Sequence, residues 1–253
     1  MNLRDHLLLP DGKKRYNEWH FSEAASRYDL ATRAMSLGRD GAWKRCLVGE
    51  LPAWPSPSCA DLACGTGDVT FLLAEKYPGG TVVGLDLAEP MLEKARKRSR
   101  HGNVRFARGD MCDTGFVGES FDIVTGSYAL RNAPDLGRVF DEIRRILKPG
   151  GAAAFLDFAK PADPLLQDLQ FRMLSAWCGF WGFVFHRNPR IHGYIGASLG
   201  NFPDRARLRE LLYDSGFDLT RSRRFYLGIL ELIVLRRPMK PRGRDQLEGK
   251  TVL

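Results

Sequence analysis

The densest chemical signal in this 253-residue chain is Asp61-Leu62-Ala63-Cys64-Gly65-Thr66-Gly67-Asp68. It lies between a short apolar run and a helical one. Its glycines let the backbone approach a ligand with no Cβ in the way, and the helix start offers free N–H groups. Asp86 follows Gly67 by 19 positions, at the end of a β-branched run, where a carboxylate can accept from both hydroxyls of a ribose. Gly109-Asp110-Met111 follows the next strand. Asp110 suits an exocyclic amine and Met111 a flat ring. The three sites follow three successive strands and together predict a cradle for an adenosyl ligand. Its expected residues are Asp61, Ala63, Gly65, Thr66, Gly67, Asp86, Leu87, Asp110 and Met111, with Ser127 from the end of a fourth strand. A glycine loop with a downstream acid also fits a dinucleotide. Thr70, however, stands where G-x-G-x-x-G needs its third glycine and would crowd the helix–strand approach that pyrophosphate binding uses. No P-loop pattern occurs. A nicotinamide-dependent oxidoreductase and a non-catalytic binding module are the alternatives these residues leave, and Thr70 with Asp110-Met111 counts against the first.

An alternation of strands and helices must position such a cradle. Short strands are predicted at Cys59–Ala63, Thr81–Leu85, Val104–Ala107, Phe121–Gly126 and Ala152–Phe158. Helices are predicted at Val69–Lys76 and Pro90–Arg98, and from Leu136 to Leu147, where Asp135 is the N-cap and Lys148-Pro149-Gly150-Gly151 a sharp stop. This pattern implies parallel strands with right-handed crossovers. Residues 1–51 read as a helical N-terminal cap. The aromatic-rich stretch 162–201 reads as a helical lid insert that would suit a hydrophobic acceptor. After a helix at Asp204–Tyr213, Phe217–Tyr226 and Gly228–Leu235 read as an antiparallel pair. The expected unit is one domain over 1–237, with a disordered tail at 238–253.

The chain has 38 Lys and Arg against 30 Asp and Glu, a net charge of +8. Basic residues cluster at 94–100, at 221–224 and in the tail. With no aromatic-interleaved basic strand, nucleic acid is not an expected partner, whereas peripheral contact with anionic lipid is. Five cysteines without a C-x-x-C pair argue against a disulfide framework and a zinc site, so no metal is expected. There is no apolar run of membrane-spanning length and no signal-peptide pattern, so the expected location is cytoplasmic, with contact at the membrane periphery.

Further motifs carry a resemblance. They are Ser26-Arg27-Tyr28-Asp29, Met35-Ser36-Leu37-Gly38, Trp43-Lys44, Asp61-Leu62-Ala63, Leu130-Arg131-Asn132, Leu147-Lys148-Pro149-Gly150-Gly151 and Phe158-Ala159-Lys160-Pro161. With these the chain resembles a class I methyltransferase, and more narrowly the ubiquinone/menaquinone biosynthesis C-methyltransferase family, over roughly Phe21 to Arg237. Leu130-Arg131-Asn132 is the most family-specific piece. The resemblance implies an α/β, Rossmann-like fold: a seven-stranded, mostly parallel sheet with an antiparallel last strand. It implies S-adenosylmethionine as cofactor, a small hydrophobic quinol-type substrate, and Arg131, Asn132 and Tyr28 as catalytic residues. A homodimer is also expected. Arg131 would stabilise a phenolate, since a guanidinium is a poor base. Water, His186 or His192 would take the proton. The chain departs from the family at Leu30-Ala31-Thr32, at Arg39-Asp40-Gly41-Ala42, at Ile233–Arg237 and through much of 162–201. These segments keep another small-molecule acceptor open as an alternative.

Overall fold

Strand β1 (Ser58–Leu62) is buried from Cys59 onward, as a central parallel strand covered on both faces must be. Around it a computed structural model, which describes residues 10–187, 195–196 and 198–240, places six more strands. These are β2 (Thr81–Asp86), β3 (Val104–Arg108), β4 (Phe121–Ser127), β5 (Leu147–Phe158), β6 (Asp218–Phe225) and β7 (Leu230–Arg236). The sheet order is β3-β2-β1-β4-β5-β7-β6. Strands β1 to β5 pair in parallel, and β7 is antiparallel to both β5 and β6. The order reverses between β1 and β4, and a crevice for ligands opens at the carboxyl ends of strands at such a switch point.

Successive side chains of β5 go to opposite faces. Ala153 and Phe155 join a core with Val139, Phe140, Ile143 and Ile146 of α6 (Leu136–Ile146) and with Leu208 and Leu212 of α8 (Arg205–Asp214). Ala154 and Leu156 join the opposite core. There they meet Trp43 and Leu47 of α3 (Asp40–Gly49) and Val69 and Leu73 of α4 (Asp68–Lys76). Helix α5 (Glu89–Arg98) covers β2 and β3 with Met91, Leu92 and Ala95 buried. Asp135 caps α6 as its position predicts, accepting from Arg138 N at 3.1 Å.

Helix α6 stops at Ile146, as Lys148–Gly151 predicts, but the fifth strand begins before that segment rather than at Ala152. Leu147 already pairs with Phe121, the register then jumps to Ala152 opposite Ile123, and the residues between bulge out. Gly150, at φ +74°, donates from this bulge to Arg237 O at 2.8 Å. The turn chemistry was legible, but pairing with β4 on both sides makes it an interruption within one strand.

The N-terminal segment forms α1 (Pro10–Ala24) and α2 (Tyr28–Met35), and the insert forms α7 (Pro164–His186). No described helix is long and apolar enough to cross a membrane. Residues 188–194, with His192, the His186 side chain and the tail from 241 lie outside the described residues.

Glu142 of α6 ties the β3–β4 connection to the sheet. It accepts from Thr114 N at 2.9 Å and from its Oγ1 at 2.5 Å, and it forms a forked pair with Arg145 at 2.6 and 2.7 Å. The Arg145 guanidinium, then Thr114, hold its carboxyl down to about 2 against the cost of burial. A depressed carboxyl stabilises the fold above its unfolded value of 4.5 and loses that contribution as pH falls through about 2. Glu142→Gln is expected to cost roughly 1–3 kcal/mol at pH 7, with the gap to wild type narrowing between those two values. Urea unfolding of both proteins at pH 7 and pH 3 checks this, and a gap independent of pH would refute it.

Candidate active site

The loops that follow β1, β2, β3 and β4 at the carboxyl edge line one crevice. After β1 the chain turns through Ala63 (φ +51°), Gly65 (φ +56°) and Gly67 (φ +91°). Cys64 N bonds Leu85 O at 2.9 Å, and Gly67 N bonds Cys64 O at 3.0 Å, so the loop is held to β2 before α4 begins. A Cβ on Gly65 would meet nothing within 4 Å, and Gly65 lines the crevice, so its bare backbone leaves room for a ligand. Asp86 ends β2, accepting from Gly65 N at 2.7 Å and Ala88 N at 2.9 Å. Burial pushes its carboxyl upward, while these amides favour the charged form. Ala63, Leu87, Asp110, Met111, Ser127 and Asn132 line the same crevice.

Three residues grouped with the cradle by their position in the motif do not line it. Asp61 is 1% exposed beneath the loop, where Oδ2 accepts from Thr70 Oγ1 at 2.7 Å and Oδ1 from Thr125 Oγ1 at 2.8 Å. Burial raises its carboxyl to about 6 despite both hydroxyls. Thr70 therefore fills the helix–strand gap as the partner of Asp61. Thr66 turns its hydroxyl to Asp29 at 2.6 Å. Gly67 is needed for packing, since a Cβ there would stand 2.8 Å from the Phe71 ring. All three shape the loop from behind.

A second cavity of about 390 Å³ adjoins the first, and Phe21, Tyr28 and Tyr128 line both. Its wall is apolar and aromatic, with Trp43, Phe158, Leu174 and Trp177, and among the described residues Arg131 is its one permanently charged side chain. Arg131 is 4% exposed. Its backbone N donates to Asp157 Oδ2 at 3.0 Å, and its Nε pairs with Oδ1 at 3.3 Å. Its Nη1 donates to Ser198 Oγ at 2.9 Å and Asn132 Oδ1 at 3.2 Å, and its guanidinium lies 5.3 Å from the Phe158 ring centre. Asn132 closes the turn, donating to Tyr128 O at 2.7 Å.

Sequence reasoning missed what α1 does here. Lys13 Nζ donates to Arg131 O at 3.1 Å and Ala133 O at 2.6 Å, and Asn17 donates to Asn132 O at 2.7 Å. Burial, then the Arg131 charge, lower Lys13 to about 8. Lys14 pairs with Asp110 at 2.8 Å across the crevice. His20, 4% exposed, lines the apolar cavity between Tyr16, stacked at 5.6 Å, and Phe21, edge-on at 4.9 Å. Tyr128 was also missed. It sits at φ +56° directly after β4 and donates to Asp40 Oδ1 at 2.8 Å. Lys44 pairs with Asp40 at 2.6 Å and Asp68 at 3.0 Å. Burial alone would lower its ammonium, but the two carboxylates hold it well above the usual lysine range. No local signal marked these residues, except that Lys44 belongs to the Trp43-Lys44 motif.

The profile of the ubiE/COQ5 methyltransferase family matches residues 11–234, most of the chain. The chain belongs to the ubiE/COQ5 methyltransferase family. It is therefore a methyltransferase, and S-adenosylmethionine is its methyl donor. Among curated relatives, the demethylmenaquinone methyltransferase of Lactobacillus johnsonii is 32% identical over 205 residues, covering 78% of this chain and 82% of the relative. The 2-phytyl-1,4-naphtoquinone methyltransferase of Synechococcus elongatus is 33% identical over 234 residues, covering 90% and 98%. The fold is shared with an S-adenosylmethionine-dependent methyltransferase from Mesorhizobium loti. That structure has a TM-score of 0.58 at 20% identity and covers 78% of this chain and 98% of its own. Haemonchus contortus phosphoethanolamine N-methyltransferase 2, in complex with S-adenosyl-L-methionine, matches with a TM-score of 0.60 at 15% identity, over 78% of this chain and 52% of its own.

The ubiE/COQ5 family's donor fits the crevice on chemical grounds. A strand-end carboxylate, a second acid with a methionine beside it, and an open glycine backbone match the two hydroxyls, the amine, the ring and the narrow waist of an adenosyl group.

Proposed function

We propose that this enzyme methylates a ring carbon of a prenylated quinol, as in respiratory quinone biosynthesis. One observation carries the reading: a polar crevice with paired strand-end acids meets a larger apolar cavity across Phe21, Tyr28 and Tyr128, and a buried arginine stands in the apolar wall. The names of the relatives from Lactobacillus and Synechococcus point to the same acceptor class.

Asp86 would hold the ribose of the donor, Asp110 the adenine amine, and Met111 the ring face. S-adenosylmethionine supplies an electrophilic methyl group. The protein must supply a nucleophilic carbon and its position. Removing the quinol hydroxyl proton puts negative charge on the ring oxygen and makes the neighbouring ring carbon nucleophilic. Arg131, itself buried, would stabilise that oxygen from an apolar wall, where a fixed charge is worth more than in solvent. His20 is the imidazole in the cavity wall among the described residues, and we assign the proton to it. Tyr28, at the junction, sets the ring against the donor. The apolar cavity takes the start of the prenyl tail. A homodimer or a membrane contact would form on the apolar surface of α7, where Phe180 is 55% and Phe183 61% exposed.

Purified protein given methyl-labelled donor and a reduced prenylated naphthoquinone with a free ring position is expected to place label on ring carbon. Label on a non-quinol phenol alone would overturn the acceptor class. In the same assay His20→Gln should lower kcat on the order of 10²-fold with donor affinity kept. An unchanged kcat would give the proton to water.

A further inference from the structure

The acceptor cavity opens to solvent between three elements. Leu37, Met173, Trp177 and Tyr226 all line it and are 68%, 48%, 39% and 42% exposed. Leu37 comes from the α2–α3 turn, Met173 and Trp177 from α7, and Tyr226 from the β6–β7 turn. Trp177 Nε1 bonds Met35 O at 3.0 Å, and Tyr226 OH reaches Ser36 O at 3.5 Å, so the three elements form one rim.

The rim is apolar to a degree that a surface facing only water would not be. Leu37 is carried at φ +52°. Leu227 is fully exposed, at 109%, in the left-handed region at φ +53°. Left-handed backbone favours glycine or asparagine, and full exposure favours a polar group, so leucine serves neither need of the free protein. Beside these tips α7 presents Leu165, Leu169 and Phe183, at 81%, 62% and 61% exposure. Its acidic residue Asp168 is neutralised by Arg172 at 2.9 Å. The surrounding charge is basic. Arg33 and Arg39 flank the first turn and Arg224 the second, all exposed and without an ion pair among the described residues.

We infer that this rim docks on an anionic lipid bilayer, with Leu37 and Leu227 inserted at headgroup depth and α7 lying along the interface. The inference rests on the proposed quinol acceptor, since a prenyl tail dissolved in the membrane then enters the cavity without crossing water. Apolar tips with flanking arginines match what an interfacial site needs: buried apolar area and attraction to anionic headgroups.

Flotation of the full chain with phosphatidylcholine vesicles containing phosphatidylglycerol tests this, against phosphatidylcholine alone and at high salt. Wild type should float with the anionic vesicles and be at least tenfold weaker on neutral vesicles or in about 0.5 M salt. Leu227→Asn, which suits a left-handed backbone, and Phe183→Glu lie outside both cavities. Each should cut flotation tenfold or more, keep the melting temperature, and keep turnover of a short-tailed, water-soluble quinol. Turnover of a long-tailed quinol held in vesicles should fall with flotation. Turnover of the soluble quinol with no flotation would overturn the docking surface and leave the quinol reading standing. Flotation without turnover of any quinol would sink the acceptor class and keep the surface. A dimer in sedimentation that both substitutions dissociate, with no flotation, would assign the face to a second copy and overturn the inference.

Discussion

Replacing Arg131 by alanine is expected to lower kcat by on the order of 10²–10³-fold while S-adenosylhomocysteine still binds within a few-fold of wild type. The size follows from the proposed role, in which a fixed, desolvated charge would face an oxygen that becomes anionic only during the reaction. Donor affinity should survive because Arg131 lines the apolar cavity and not the adenosyl crevice. The variant also loses stability, since Asp157 is 5% exposed and its carboxylate would be left without its partner. Burial already pushes the Asp157 carboxyl up and Arg131 opposes it, so without the guanidinium the carboxyl should shift further up. This coupling supplies a control. Adding Asp157→Asn to Arg131→Ala removes the orphaned acid, so the melting temperature should recover while kcat does not. If turnover per folded molecule recovered together with stability, Arg131 would be a structural residue.

Asp86→Ala is expected to weaken S-adenosylhomocysteine binding by on the order of 10²-fold, measured by calorimetry on folded protein. A hydrogen bond to a charged group contributes about 1.5–3 kcal/mol, and in the proposed donor site Asp86 would accept from two hydroxyls. It also holds Gly65 N and Ala88 N, so its loss loosens the loop that faces the ligand. Asp61→Asn is the contrasting variant. It sits in the same motif, but its carboxylate meets Thr70 and Thr125 beneath the loop, so affinity should change only a few-fold. Its raised carboxyl stabilises the fold fully below the unfolded value of 3.8 and loses that contribution as pH rises through about 6, a dependence the variant should lack. Equal losses of affinity in the two variants would mean that Asp86 acts through the loop rather than on the ligand.

The contrast between these aspartates shows how far a motif can be read. Asp61 lies one residue before the end of β1 and Asp86 ends β2, and both sit beside the glycine loop. The register pairs Asp61 with Gly84, so the two aspartate side chains point to one face. Asp86 stands two residues nearer the carboxyl edge, in the crevice, while Asp61 lies beneath the loop, and the spacing of residues does not reveal the loop's fold between them. Asn132 makes the same point, since it closes the turn through Tyr128 O and also lines the crevice. The Lys148–Gly151 turn was visible and the helix does stop before it, yet pairing with β4 on both sides makes it a bulge inside a strand that begins at Leu147 rather than at Ala152.

The sequence by itself determined the order of elements, the carboxyl-edge positions of Asp86, Asp110 and Arg131, and the methyltransferase family. These follow from local signals, since turn glycines, strand-end acids and apolar periodicity act over a few residues, and crossovers between parallel strands then bring the carboxyl ends of β1 to β5 to one edge. Only the tertiary structure decided which groups close the site. Lys13 meets the Arg131 turn across 118 residues, Lys14 meets Asp110, and His20 lines the apolar cavity. Helix α1 carries no motif and owes its place to contacts with distant loops. Such contacts form only once the chain is folded, so no pattern of neighbouring residues records them.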